Sequence, residues 1–183
     1  MKKSSRILRQ ILIIAISAVG GFYASHFYFT HYRNVIDVTD NRQTQQPRRP
    51  DFSLPDLDGK LQSINNWNGK VIMVNFWASW CPPCRREIPG LNRLYKNYQK
   101  QGFVILGIAL DDSQSVRDFV DPLGINYPIL LGGKTGIKIS NAYGNELGAL
   151  PFTVIINRKG RIIRAHPGEL SYKQAEALIT PLL

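Results

Sequence analysis

Two cysteines, Cys81 and Cys84, enclose two prolines in Trp80-Cys81-Pro82-Pro83-Cys84, and the chain has no others. Thiols at this spacing exchange disulfides: a thiolate attacks a disulfide sulfur, and the second thiol resolves the mixed disulfide. Zinc is a poor alternative, because structural zinc takes four Cys or His ligands. The chain offers only two Cys and three His; His26 and His31 lie in or beside an apolar N-terminal segment, and His166 stands alone. A purely structural disulfide is also a poor reading, since closing so short a loop constrains the unfolded chain little. A peroxidase would want a peroxidatic cysteine, and Cys-x-x-Cys suits disulfide exchange better.

The elements around the pair position it. Val71-Ile72-Met73-Val74-Asn75-Phe76-Trp77 reads as a buried strand, and residues 82–101 read as a helix with Leu91, Leu94, Tyr95 and Tyr98 on one face. The start of that helix has unpaired N–H groups and partial positive charge, so it favours the Cys81 thiolate and draws its titration below the ~8.5 of a free thiol. Residues 52–64, with Asp58-Gly59 in the middle, predict a β-hairpin. Residues 103–110 predict a buried strand, 113–123 a helix capped by Ser113, 128–131 a short strand and 134–142 a short helix. Residues 153–157 and 161–165 predict an antiparallel hairpin, and 172–182 a final helix. The fold class is α/β, with one antiparallel part to the sheet.

The formal net charge of +10 is uneven: residues 1–50 carry +6 and residues 51–183 only +4. The excess sits beside a hydrophobic stretch, the pattern of a membrane topology signal. No nucleic-acid-binding motif is present. Residues 11–29 contain no formally charged side chain and follow Lys2, Lys3, Arg6 and Arg9. That length suffices for one transmembrane helix, with the positive flank in the cytoplasm. Ala18-Val19-Gly20 could instead be a signal-peptide cleavage site. The aromatic residues beyond it (Phe22, Tyr23, Phe27, Tyr28 and Phe29) favour an uncleaved anchor with an interfacial belt. The expected organisation is a cytoplasmic basic segment at 1–10, an anchor at 11–29, a polar linker at 30–50 and a folded domain at 51–183.

Residues 51–183 resemble the thioredoxin superfamily, within it the membrane-anchored TlpA/ResA/DsbE-like thiol-disulfide reductases. The resemblance rests on Asn75-Phe76-Trp77-Ala78-Ser79-Trp80-Cys81-Pro82-Pro83-Cys84, on Pro89 inside the helix, and on Leu150-Pro151-Phe152-Thr153. It implies a thioredoxin-like fold with an N-terminal β-hairpin and a central strand-helix insertion within 111–145. It also implies a cis bond at Leu150-Pro151, with Leu150 offering its backbone to an extended substrate. Plain thioredoxin has a buried Asp where this chain has Asn75, which cannot titrate. This branch places a Glu three residues past the second cysteine, here Glu87, one helical turn beyond Cys84 on the same face. Glu87 is therefore a candidate proton acceptor for Cys84, or else a charge that favours the helix N-terminus.

The candidate catalytic residues are thus Cys81, Cys84 and Glu87, and the candidate substrate-binding residues are Trp80, Pro82, Pro83, Leu150 and Pro151. Arg85 and Arg86 read as solvated helix residues that raise the local positive potential. No cofactor or metal is expected, because the cysteine pair is itself the redox group. The resemblance implies a reductant of protein disulfides in the cell inner membrane, single-pass, with its catalytic domain on the periplasmic (extracytoplasmic) side. It implies a DsbD- or CcdA-like membrane electron donor and, as a client, apocytochrome c with its Cys-x-x-Cys-His segment. A disulfide oxidant or isomerase of the same fold stays open, as does a tethered chaperone-like module that captures thiol-bearing polypeptides without turnover.

Overall fold

The computed structural model describes residues 21–28 and 46–183. The expected basic segment at 1–10, most of the anchor at 11–29 and most of the linker at 30–50 lie outside them. Residues 21–28 are helical and expose Phe22, Tyr23, Phe27 and Tyr28. Among the described residues, no helix is long and apolar enough to cross a membrane.

Residues 46–183 form one compact unit. A hairpin of β1 (Ser53–Pro55) and β2 (Leu61–Ser63) opens it, turning at Gly59, whose φ of 80° suits a residue without Cβ. The main sheet has five strands in the order β5-β4-β3-β6-β7. β3 (Val71–Trp77), β4 (Phe103–Ala109) and β5 (Ile129–Leu131) are parallel; β6 (Phe152–Ile156) and β7 (Ile162–Pro167) add the antiparallel part. Helix α1 (Pro82–Tyr98) follows β3, α2 (Ser113–Val120) follows β4, α3 (Gly133–Ala142) follows β5, and α4 (Tyr172–Ile179) closes the chain with a 3-10 turn. The α/β fold, its opening hairpin, its antiparallel part and a strand and helix within 111–145 are as the sequence led us to expect.

Every residue of β3 and β4 is buried, because apolar layers cover both faces of these central strands. Strand alternation sorts the side chains. Val71, Met73 and Trp77 pack with Ile88, Leu91 and Leu94 of α1 and with Ala175 and Ile179 of α4. Ile72, Val74 and Phe76 pack on the opposite side with Phe52, Leu54, Ile64 and Tyr143. Asn75 shares the odd-numbered face and so is turned toward α1.

Two local expectations change. The cap of α2 is Asp112, whose carboxylate accepts the Ser115 N–H at 3.0 Å, rather than Ser113; the backbone is still extended at Asp112 (φ −72°, ψ 156°) and turns helical at Ser113, so the capping position falls one residue earlier. The compact unit also begins at Gln46, before the expected boundary at 51. The Ile162 N–H donates to Pro47 O at 2.9 Å and the Arg49 N–H to Gly160 O at 3.0 Å, so this stretch pairs along β7 and its preceding turn. The Arg49 side chain is buried and donates to Asp51, Asn65 and Asn68 at 2.6, 2.7 and 2.9 Å. Its polar composition disguised a packed segment as a tether. Because Ile156 pairs with Ile72 and Phe152 with Phe76, the 157–161 turn and its Gln46 end lie beside the start of β3. Cys81 follows the other end of that strand.

Candidate active site

The redox pair stands where β3 ends and α1 begins, at the carboxyl end of the parallel strands, where α/β sheets commonly place their sites. Cys81 is the N-cap of α1, and its sulfur accepts the Cys84 N–H at 3.3 Å. Pro82 fits the first helical position, where its missing N–H costs no hydrogen bond. No acidic residue sits in the first turn, so the partial positive charge there is unopposed by the helix itself. The cysteines are joined as a disulfide. Cys81 retains 3% exposure and Cys84 none, which leaves Cys81 as the sulfur that a partner reaches first.

The loop entering the pair is held from β4. Asp111, just beyond β4, accepts the Ser79 N–H at 3.0 Å and also bonds the Ser79 hydroxyl. Asp111 was not singled out in the sequence; a lone Asp after a strand carries no local signal of a partner 32 residues earlier. Trp80 is 65% exposed, while Trp77 is buried. Pro82 is exposed and Pro83 half-buried. The Leu150-Pro151 bond is cis, and it leads into β6 beside the C-terminal end of β3. Leu150 and Trp80 line the same hollow. The candidate substrate-binding residues therefore gather around the pair.

Glu87 is 3% exposed. Its Oε1 accepts from Asn75 Nδ2 and its Oε2 from the Leu170 N–H, each at 2.8 Å. Asn75 Nδ2 also donates to Thr153 Oγ1 at 3.0 Å. The carboxylate thus bonds to the sheet and to the loop before α4, and makes no bond to the helix N-terminus. Burial is the largest influence and pushes its pKa up from 4.5 to about 7, the Leu170 and Asn75 bonds holding it down in part. Nearby Glu169 pushes it further up, although Arg86 binds the Glu169 carboxylate at 2.6 and 3.0 Å. Arg85 lies with its guanidinium 5.1 Å from the Phe119 ring centre. Sequence reasoning set Asn75 in the buried strand, where plain thioredoxin has its acid, but did not join it, Thr153 or Leu170 to Glu87. Odd-even alternation along β3 was the available clue for Asn75.

Comparison with known proteins agrees with this fold. The fold and the cysteine pair define a thioredoxin-like thiol-disulfide oxidoreductase. Residues 46–165 match the AhpC/TSA family, and the chain belongs to it. The thiol-disulfide oxidoreductase ResA of Geobacillus thermodenitrificans is 32% identical over 173 residues, covering 93% of this chain and 92% of that protein. A thioredoxin-family thiol:disulfide interchange protein from Chlorobium tepidum TLS superposes with a TM-score of 0.70 at 29% identity, over 75% of this chain and 97% of that one. A putative DsbE from Chlorobium tepidum gives 0.64 at 27% identity, over 73% and 91%.

Proposed function

We propose that this oxidoreductase works mainly as an exported, membrane-tethered reductant of protein disulfides. The observation that supports this direction is Glu87, a buried carboxyl one helical turn from Cys84. A negative charge there disfavours the thiolate state of the pair. A dithiol whose reduced form is less stabilised is a stronger electron donor, the converse of an oxidant whose reduced form is stabilised.

The reaction has two steps. The Cys81 thiolate attacks one sulfur of a substrate disulfide; a Cys81–substrate bond forms, the substrate S–S bond breaks, and the leaving thiolate takes a proton. Cys84 then yields its proton to Glu87 and attacks the Cys81 sulfur. The Cys81–Cys84 bond forms, the mixed disulfide breaks, and the substrate departs carrying two electrons and two protons in total. Glu87 passes its proton to the departing thiolate. A carboxyl titrating near 7 is matched to this at neutral pH. The Leu150 backbone and the Trp80 face hold the substrate chain. A dithiol partner recharges the pair, which for a tethered domain in an oxidising compartment points to a DsbD- or CcdA-like membrane donor. Apocytochrome c, whose Cys-x-x-Cys-His thiols must be free for haem attachment, is the proposed client. Residues 11–29 are the proposed single-pass inner-membrane anchor, with the catalytic domain on the periplasmic side.

Alkylation trapping of Cys81 and Cys84 in living cells tests the direction: a mostly reduced pair is expected, and a mostly oxidised pair identifies an oxidant instead. Cys84→Ser is expected to accumulate mixed disulfides through Cys81, and Cys81→Ser to accumulate none. Reporter fusions after residue 50 are expected to work only with a reporter that needs export. A mature chain starting at Gly21 would rule out the anchor.

A further inference from the structure

Four buried side-chain polar atoms make no hydrogen bond among the described residues, and three of them lie in the layer around Glu87: Asn75 Oδ1, Trp77 Nε1 and the Tyr127 hydroxyl. Buried polar groups normally find a partner, in the protein or in an ordered water. Asn75 Nδ2 is spent on Glu87 and on Thr153 of β6, so Oδ1 is turned the other way, toward β4. Its neighbour on that strand is Gly107. Because Gly107 has no side chain, Tyr127 and Trp77 close over it. A Cβ there would lie 3.0 Å from Tyr127 Cε2 and 3.2 Å from Trp77 Nε1. The loop that carries Tyr127 is fixed on both sides. Asn92 of α1 accepts the Asn126 N–H at 3.0 Å and donates to Gly124 O at 3.1 Å. Pro128 O accepts the Gly107 N–H at 3.0 Å. Burial first, and the charge of Glu87 after it, push the Tyr127 hydroxyl far above the usual tyrosine range, so it stays a hydrogen-bond donor.

We infer that Tyr127 is a positioning residue for Glu87: its hydroxyl and Trp77 Nε1 hold an internal water that in turn donates to the Glu87 carboxylate and to Asn75 Oδ1. The donors and acceptors match. The hydroxyl and the indole N–H each donate one hydrogen to the water, and the carboxylate and the amide oxygen each accept one from it. A buried water takes about two to four such bonds. The water favours the ionised carboxyl, adding to the Asn75 and Leu170 bonds that oppose burial. Tyr127 also lines a hollow of about 310 Å³ whose rim includes exposed Asp58, Asp121 and Gly124, and through it the water exchanges with solvent. Tyr127 thereby keeps Glu87 titrating near neutral pH, where an acceptor for the Cys84 proton is most effective. This inference rests on the reading of Glu87 as that acceptor and adds the residue that tunes it.

The test uses the full-length oxidised chain in detergent, where the disulfide removes both thiols from the titration. The ionisable groups left facing Glu87 are Glu169, held by Arg86, and Tyr127 itself. The Glu87 carboxyl is followed by carbon NMR across pH. Tyr127→Phe keeps the ring and removes only the hydroxyl. It is expected to raise the Glu87 midpoint by about one unit, a tenfold gain in proton affinity. The limb of the pH–rate profile that Glu87→Gln abolishes in the reduced chain is expected to move up with it, and stability at alkaline pH to fall. In the parent chain, an NOE between water and the Trp77 indole N–H is expected. An unchanged midpoint overturns the inference, as does a gain in stability, the result of deleting a hydroxyl that had no partner. Absence of the NOE overturns it too. A limb lost in Glu87→Gln but unmoved in Tyr127→Phe fails Tyr127 alone. A profile that Glu87→Gln leaves unchanged fails the reading of Glu87 as proton acceptor, and the role of Tyr127 with it.

Discussion

Asn75 on β3 holds Glu87 on α1 through a 2.8 Å hydrogen bond, in a place where both side chains are buried. The amide that stands where plain thioredoxin carries an acid thus becomes the anchor for a different acid. The bond favours the ionised form of Glu87 and opposes the upward push of burial.

Removing that donor is expected to let the Glu87 pKa rise further. Asn75→Ala should therefore move the Glu87-dependent limb of the pH–rate profile for disulfide exchange to higher pH. Stability should fall by about 1–3 kcal/mol, because a buried acceptor loses its partner. Rate measurements from pH 5 to 9 with paired denaturant melts check this; a profile unmoved by Asn75→Ala would separate Asn75 from the proton chemistry.

Glu87 also makes stability depend on pH. Its folded value of about 7 lies above the ordinary 4.5, so the folded state holds the proton more tightly than the unfolded state does. Its cost to stability is absent below about pH 4.5, grows as pH rises, and is complete above about pH 7, where it reaches about 3 kcal/mol. Glu87→Gln should flatten that part of the stability curve. Gln can still accept from Asn75 but cannot also accept the Leu170 N–H with its amide nitrogen, so a constant loss of about 1 kcal/mol is expected alongside. Exchange near neutral pH should slow, and the pH midpoint for Cys81 alkylation should move down once the neighbouring negative charge is gone. Urea melts across pH and iodoacetamide kinetics measure both.

Asp111 secures the approach to the cysteines by holding Ser79. Asp111→Ala frees a backbone N–H and a hydroxyl in a half-buried loop. We expect exchange to slow about tenfold as Cys81 loses its fixed position, with about 1–2 kcal/mol of stability lost. A single-turnover assay of the purified variant, compared with its melting curve, distinguishes misplacement of the cysteine from unfolding.

Arg49 separates stability from chemistry. Replacing it with Met removes three side-chain hydrogen bonds and leaves the exposed Asp51 free to hydrate. A loss of about 2–3 kcal/mol is expected, with exchange rates unchanged at temperatures where the variant stays folded. Slowed exchange in the folded variant would mean that the N-terminal strap communicates with the distant cysteines.

What could be read in advance follows from how far apart the interacting residues are. Cys81-Pro82-Pro83-Cys84, the buried runs of β3 and β4 and the amphipathic face of α1 are local patterns, and the structure reproduces their elements with small changes at the ends. The partners of Glu87 are not local: Asn75 precedes it by 12 residues and Leu170 follows by 83. Periodicity says which face Asn75 occupies but not which helix residue meets it. Arg48 and Arg49 show the opposite limit, where a polar stretch with every mark of a tether is ordered by pairing with a turn more than 100 residues away.

The strap at Pro47 and Arg49 also fixes where the N-terminal stretch joins the folded unit. The chain leaves the folded unit beside the start of β3, and the cysteines lie past its far end, a strand of seven residues or roughly 23 Å away. On the tethered reading, a pull along the N-terminal segment points the disulfide outward, toward soluble clients. Recharging at the bilayer then requires the domain to tip over on its strap. On that reading the sixteen residues 30–45 separate the proposed anchor from the strap, and a chain of that length reaches at most ~55 Å, more than the turn requires. Shortening this stretch should therefore starve the enzyme of electrons before it impairs the capture of substrate.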